Sequence, residues 1–188
     1  ERGALLFFDE IQTGYGRTGR FLAQEWFDTV PDACSLAKGI GGGFPLGAMA
    51  VTDRLEHGLP PGSHASTFGG NPLACAAGLA VLHIMDEEGL VENSARLGEY
   101  LSDRLTEIDA RLSTTVGTRG LGLLQGLVLA DDVDPGATIA AVHAAGVLLT
   151  LAGGNVVRVS PSLNVTREEL DEGLAVLDEV LADAPRKP

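Results

Sequence analysis

Short apolar segments separated by glycine-rich or polar turns occupy residues 4–52 of the chain. The first is ALLFF at 4–8, and two more follow as DACSLA and LGAMAVT. Strands without a polar face are typical of parallel sheets, because helices cover both faces of such a sheet. The pattern therefore predicts an α/β fold whose first strand, 4–8, is buried on both faces.

Helical patterns dominate the rest of the chain. Helices are predicted at 72–88, after Gly89, near 135–145 and at the C-terminus. The second has one apolar face, which consists of Leu97, Leu101, Leu105, Ile108 and Leu112. LGLLQGLVLA at 121–130 and NVVRVS at 155–160 predict strands between the helices.

The last helix carries its own start signal. Thr166 can cap its first turn, and Glu169, three residues later, can reciprocate. The apolar stripe that follows consists of Leu170, Leu174, Leu177 and Leu181. The tail at 184–188 is expected to be frayed.

These patterns predict two domains. Residues 1–85 are interpreted as the remaining C-terminal part of a large, mostly parallel-sheet domain, and 86–188 as a small α/β domain. The chain starts without Met and enters an apolar strand almost at once. We therefore expect it to be the C-terminal part of a longer protein.

The composition argues against several classes of partner. A net charge of −13 disfavours nucleic acids and anionic membranes as partners. No apolar run reaches the roughly 20 residues that span a bilayer. The two cysteines, Cys34 and Cys75, form no CxxC pair, which fits a reducing cytoplasm. No histidine has metal-ligand spacing, so no metal is predicted.

The placement of lysine is the strongest chemical signal. The chain has eleven arginines and two lysines, Lys187 near its end and Lys38 within SLAKGIGGG. A primary amine forms a Schiff base with an aldehyde, whereas a guanidinium does not. Because glycine lets the backbone approach a ligand closely, we expect Lys38 to be desolvated and nucleophilic. A snorkelling surface lysine is the alternative.

Asp9 ends the first apolar segment. Ligands of open parallel sheets bind at the carboxyl ends of the strands, so Asp9 is a candidate for binding a cation such as a protonated ring nitrogen. An acid that faces water beside Glu10 is an equally good interpretation.

Arg158 interrupts the apolar strand VVRVS. An arginine in this setting often binds a carboxylate through its planar, two-pronged guanidinium. The alternative is an edge strand whose polar face is solvated, which is the commoner situation for a strand arginine.

GYGRTG at 14–19 matches the dinucleotide-binding pattern GxGxxG, so a nicotinamide-dependent dehydrogenase is an alternative function. That fingerprint must lie directly between a strand and a helix. Here several residues separate it from the strand, and Asp32, the acid nearest the required distance, precedes an apolar segment rather than ending one.

Three motifs in order, LLFFDEIQTGYGRTG, PDACSLAKGIGGGFPLGA and STFGGNPLACAAG, resemble the class III pyridoxal-phosphate-dependent aminotransferases. The resemblance spans nearly the whole chain and is strongest to the acetylornithine branch of that family. It implies the C-terminal part of a fold type I enzyme, with 1–85 in the large cofactor-binding domain. Family members are about twice as long as this chain.

The resemblance also implies residue roles. Lys38 matches the catalytic lysine that binds the cofactor, pyridoxal 5'-phosphate, covalently. Asp9 matches the aspartate that pairs with the pyridinium nitrogen, and Gln12 the glutamine at the phenolic oxygen. Thr67 matches the threonine that reaches the phosphate of the partner subunit's cofactor in a homodimer. Arg158 matches the arginine that binds the substrate's α-carboxylate.

The implied reaction is transamination between N-acetylornithine and 2-oxoglutarate, in arginine biosynthesis in the cytoplasm. Three class III relatives, specific for ornithine, succinylornithine or 4-aminobutyrate, are alternatives. An inactive, truncated chain that only folds or dimerises is a further alternative.

Overall fold

Two sheets organise the chain in the computed structural model, which describes residues 3–187. The first has three strands and the second has four. They belong to two units, Glu1–Val91 and Glu92–Pro188.

The sheet of the first unit has the order β1-β2-β3. Its strands are β1 (Phe7–Asp9), β2 (Ala33–Leu36) and β3 (Ala48–Val51). β1 and β2 are parallel, whereas β3 runs antiparallel to β2. Because β1 and β2 are parallel, their carboxyl ends lie at the same edge of the sheet.

The predicted strand at 4–8 is wrong in its extent and in its burial. β1 begins only at Phe7, and Leu5 and Phe7 are 57% and 52% exposed. Two physical features account for this. β2 is the only described strand that pairs with β1. The Leu6 amide donates to Asp32 Oδ2 at 2.8 Å instead of to a neighbouring strand.

One α-helix, α1 (Pro72–Glu87), lies wholly in the first unit. The Asn71 side chain caps it by accepting from the Ala74 amide at 2.9 Å, and Pro72 occupies the first helical position. Both residues are typical of a helix start.

The second unit packs helices on a four-stranded antiparallel sheet. Helix α2 (Leu90–Arg111) leads into it, followed by β4 (Thr115–Leu121) and β5 (Leu124–Leu129). The remaining elements are α3 (Pro135–Ala144), β6 (Thr150–Ala152), β7 (Val156–Val159) and α4 (Arg167–Ala182). The strand order is β4-β5-β7-β6.

The predicted apolar stripes form the core of this unit. All of the predicted α2 stripe is buried except Leu112, which lies just beyond the helix and is partly buried. The α4 stripe is buried along its whole length, and the predicted Thr166–Glu169 capping box is present. The other core residues include Leu127, Leu129 and Val157.

Two predictions for this unit are wrong, and two of its strands are missing from the prediction. The segment 121–130 is not one strand: β4 ends at Leu121, residues 122–123 form a turn, and β5 covers Leu124–Leu129. β4 and β5 form a hairpin, and β4 was not predicted. The short β6 was also missed. The tail is attached, since the Lys187 amide donates to the Asp132 carbonyl at 2.8 Å; Pro188 lies outside the described residues.

Between residues 3 and 187, no helix is long and apolar enough to cross a membrane.

Candidate active site

The carboxyl edge of the first sheet carries the candidate cluster of the first unit. Asp9, the last residue of β1, lies opposite Ser35 of β2, whose hydroxyl donates to Asp9 Oδ1 at 3.1 Å. Lys38 follows Ser35 by three residues, just after β2 ends. Strand pairing therefore places the acid and the lysine beside the same strand ends, as the sequence predicts.

Lys38 starts a short 3-10 helix, Lys38–Gly41, with a φ of 48°. The left-handed region is uncommon for residues other than glycine, and such strain concentrates at functional sites. The Lys38 ammonium donates a hydrogen bond to Gln12 Oε1. The structure thus brings Gln12 and Lys38 together although 26 positions separate them.

The loop after β1 folds back towards β2. The Gly14 amide donates to the Glu10 carbonyl at 2.9 Å. A Cβ at Gly14 would lie 2.9 Å from both that carbonyl oxygen and Leu36 Cδ2, so the close approach requires glycine. Tyr15 has a φ of 56°, and its ring contacts Phe21 with centroids 5.1 Å apart.

Burial affects two titratable groups in this loop. It raises the pKa of the Tyr15 hydroxyl above its ordinary value of 10.0. It lowers the pKa of the Arg17 guanidinium from its ordinary value. Both shifts arise because removal from water disfavours the charged form.

The structure gives no support to a dinucleotide site at 14–19. GYGRTG lies in a series of turns and leads into a four-residue 3-10 helix, Ala23–Trp26, rather than into an α-helix. The helix N-terminus that would bind a pyrophosphate is therefore missing at this place.

The prediction that Lys38 is desolvated is wrong for the described residues. Both Lys38 and Asp9 are exposed, because the described residues of the first unit leave this edge of the sheet open to solvent. Gln12 is partly buried.

Thr67 lies on an exposed turn of the first unit, in which the Gly69 amide donates to the Ser66 carbonyl at 3.3 Å. No hydrogen bond links its side chain to Asp9, Gln12 or Lys38. The structure therefore does not join Thr67 to the cluster.

Arg158 belongs to the second unit and lies on β7, which pairs with β5 on one side and β6 on the other. The edge-strand interpretation is therefore wrong. Arg158 is partly buried, and its guanidinium forms no ion pair with residues 3–187. It lines a largely apolar cavity of about 210 Å³ together with Thr150 and Ser160.

Sequence reasoning missed Glu10. Only 2% of its surface is exposed, and its carboxylate accepts from the Thr13 hydroxyl and from the Gln24 backbone amide. Thr13, three residues after Glu10, is the sequence signal that indicates a local partner for this carboxylate.

The donor set at the sheet edge fits the cofactor implied by the sequence. Lys38 supplies a primary amine for an aldehyde, Asp9 a carboxylate for a protonated ring nitrogen, and Gln12 an amide for a phenolic oxygen. All three belong to adjacent strand ends and the loops that follow them, where ligands of α/β sheets bind.

Comparisons with known proteins agree with this chemistry. A family model for aminotransferase class-III matches residues 1–181. Acetylornithine aminotransferase from Gloeobacter violaceus is 45% identical over 186 residues, which cover 98% of this chain and 46% of that protein. Its counterpart from Caldanaerobacter subterraneus subsp. tengcongensis is 42% identical, covering 97% and 46%.

Solved structures give the same result. Ornithine aminotransferase from Toxoplasma gondii, whose structure has pyridoxal phosphate at partial occupancy in the active site, superposes with a TM-score of 0.90 at 34% identity. The match covers 96% of this chain and 43% of that one. Acetylornithine aminotransferase from Elizabethkingia anophelis gives 0.88 at 32% identity, covering 96% and 46%.

Proposed function

We propose a function for this chain from its family, because the chain belongs to the class III aminotransferases. The predicted family and the predicted fold class, the C-terminal part of a fold type I transferase, are confirmed. The chain spans about half the length of the curated relatives it matches. The reaction, its substrates and its partners are accordingly our proposal.

The proposed reaction moves the amino group of an acetylated diamino acid, N-acetylornithine, to 2-oxoglutarate, as a step of arginine biosynthesis in the cytoplasm. The observation that carries this proposal is the cluster of Asp9, Gln12 and Lys38 at one sheet edge. The acetylornithine aminotransferases among the relatives support the choice of donor.

Pyridoxal phosphate, when bound, supplies an aldehyde that condenses with amines and a ring that accepts electron density as a proton leaves the substrate. Asp9 would keep the ring nitrogen protonated, and Gln12 would donate to the phenolic oxygen. Lys38 would hold the cofactor through its Nζ and would move the substrate proton as a general base and then a general acid.

Arg158 would orient both substrates, because the amino donor and 2-oxoglutarate each carry a carboxylate next to the reacting carbon. Its guanidinium already lacks an anionic partner within 3–187, so binding breaks no existing ion pair there. The planar fork favours a bidentate carboxylate geometry that lysine does not reproduce.

Thr67 would contribute to the cofactor site of a second subunit in a homodimer. Its exposed position and its lack of hydrogen bonds to the cluster of its own chain support this role.

A second candidate donor is ornithine. The structural match to the Toxoplasma gondii enzyme supports it, with a TM-score of 0.90. Turnover of N-acetylornithine and ornithine, each with 2-oxoglutarate, distinguishes the two in a protein of complete family length that contains this chain. We expect N-acetylornithine to have the higher kcat/KM.

The lysine assignment has a direct test. Borohydride reduction of that protein with bound pyridoxal phosphate, followed by peptide mapping, should place the pyridoxyl label on Lys38. Lys187, the other lysine of the chain, serves as the internal control. A label on Lys187, or an unlabelled Lys38, would contradict the proposed function.

A further inference from the structure

Glu10 is a buried acid for which the proposed reaction has no role. Its Oε1 accepts from the Gln24 backbone amide at 2.8 Å, and its Oε2 accepts from the Thr13 hydroxyl. Burying a carboxylate is unfavourable unless such donors replace water. The Glu10 carboxylate therefore accepts hydrogen bonds from two residues of the segment between β1 and β2, and these bonds hold that segment against the end of β1.

Two consecutive acids hold the residues on either side of Gln12. Asp9 Oδ1 accepts from the Ile11 amide at 3.0 Å, and Glu10 Oε2 accepts from the Thr13 hydroxyl. Gln12 Oε1 lies between these two anchors along the chain and accepts from Lys38 Nζ. The anchors therefore restrict where the Gln12 side chain points.

We propose that Glu10 is a positioning residue that acts on Lys38 through Thr13 and Gln12. The inference rests on the proposed function, since Gln12 and Lys38 are assigned there to the cofactor. Loss of the Glu10 carboxylate frees the loop next to Gln12. The Lys38 amine then loses its hydrogen-bond partner and reacts more readily with an aldehyde or another electrophile.

The chain contains a built-in reference for testing this. Lys38 and Lys187 are its only lysines, and Lys187 Nζ donates to the Asp131 carbonyl at 2.7 Å in the second unit. Cofactor-free chain is treated briefly with trinitrobenzenesulfonate, and mass spectrometry gives the ratio of labelling at Lys38 to labelling at Lys187. The readout requires neither cofactor nor turnover.

Gln12→Ala removes the amide directly and should raise the ratio about fivefold, the factor expected for one lost hydrogen bond. Glu10→Ala and Thr13→Val should raise it towards the same level. Thr13→Ser keeps the hydroxyl and should leave the ratio unchanged. Glu10→Gln should also leave the ratio unchanged, because the carboxamide oxygen can accept from the Gln24 backbone amide and the carboxamide nitrogen can donate to Thr13 Oγ1.

A double variant separates positioning from general loosening. If Glu10 acts through Gln12, then Glu10→Ala adds nothing to the ratio of Gln12→Ala. A further multiplicative rise, or wild-type ratios in both Glu10→Ala and Thr13→Val, would overturn the proposal. Should circular dichroism show that Glu10→Ala unfolds, the isosteric Thr13→Val and Thr13→Ser pair decides.

The two tests fail independently. Absence of a pyridoxyl label at Lys38 counts against the proposed function, whereas the trinitrobenzenesulfonate ratio is measured without the cofactor. Wild-type ratios in the loop variants count only against the role of Glu10.

Discussion

At the scale of single residues, side chains with the same charge have different surroundings. Asp9 and Glu10 are consecutive, yet the first is exposed and the second is buried under the loop that it holds. The Glu10 amide still donates to the Ser35 carbonyl of β2 at 3.0 Å, so the pairing with β2 continues one residue past β1. Consecutive residues along a strand point to opposite faces, which explains the difference.

Arg158 is the residue whose replacement should affect both substrates. In a protein of complete family length, Arg158→Ala should raise the KM for the amino donor and for 2-oxoglutarate by tenfold or more, since hydrogen bonds to charged groups contribute about 1.5–3 kcal/mol. Arg158→Lys should recover part of this, because it keeps the charge but not the planar fork.

Arg119→Ala supplies the matched control for Arg158, since Arg119 is an exposed strand arginine of the same unit. Its kinetics should equal those of the unmodified protein. Unchanged KM values in Arg158→Ala would rule out carboxylate binding by this residue.

At the scale of elements, α4 has the clearest local design. The Thr166 hydroxyl accepts from the Glu169 amide at 3.2 Å, and Glu169 Oε2 accepts from the Thr166 amide at 2.8 Å. These bonds satisfy two donors that every helix N-terminus leaves open. The hydrogen bond from the Thr166 backbone, followed by that from its side chain, lowers the pKa of Glu169 from its ordinary value of 4.5.

This shift predicts a pH-dependent stability. Because the folded-state pKa is the lower one, the contribution of Glu169 is fully present above pH 4.5 and is lost as the pH falls through the folded-state value. Glu169→Gln should therefore lower the free energy of unfolding at pH 7 and have a smaller effect at pH 3. Urea unfolding at both pH values measures the difference.

Glu172→Gln, on the same helix outside the capping box, is the control and should show little of this pH dependence. Equal effects of Glu169→Gln at pH 7 and pH 3 would show that the carboxylate charge plays no part in capping.

At the scale of the whole molecule, the two units differ in how much apolar surface they bury. The connected apolar core lies in the second unit and includes residues from α2, β5, β7 and α4. Leu5, Phe7, Val30 and Met49 of the first unit are exposed. About half the length of the relatives lies outside the match.

Packing of the second unit depends on a close approach at Gly98 of α2. A Cβ there would lie 2.3 Å from the Gly122 Cα, in the turn between β4 and β5. Alanine improves helix propensity by about 1 kcal/mol, but overpacking against backbone costs about 1–3 kcal/mol or more. Because backbone has little room to yield, Gly98→Ala should lower the free energy of unfolding.

Gly173→Ala in α4 is the matched control, since nothing lies within 4 Å of an added Cβ at that position. It should raise stability by about 0.5–1 kcal/mol through helix propensity alone. Denaturant unfolding of the two variants should therefore give opposite signs. If Gly98→Ala instead raised the free energy of unfolding, the turn at Gly122 would have to shift away from α2 without an energetic penalty.

Local patterns determined much of this protein from the sequence alone. The Thr166–Glu169 capping box and the leucine stripes of α2 and α4 depend on spacings of three and four residues, which one helix realises by itself. Lys38 was also identifiable, because a chain with eleven arginines and two lysines places one of its lysines beside a glycine run.

Only the tertiary structure decided the features that depend on distant partners. β7 is central because it pairs with both β5 and β6. Glu10 is buried where its carboxylate accepts from the Gln24 backbone amide, 14 residues later. The bond between Lys38 and Gln12 spans 26 residues. The exposure of Leu5 and Phe7 has the same origin. An apolar segment shows that a strand favours burial, but the burial itself depends on which other elements pack against it.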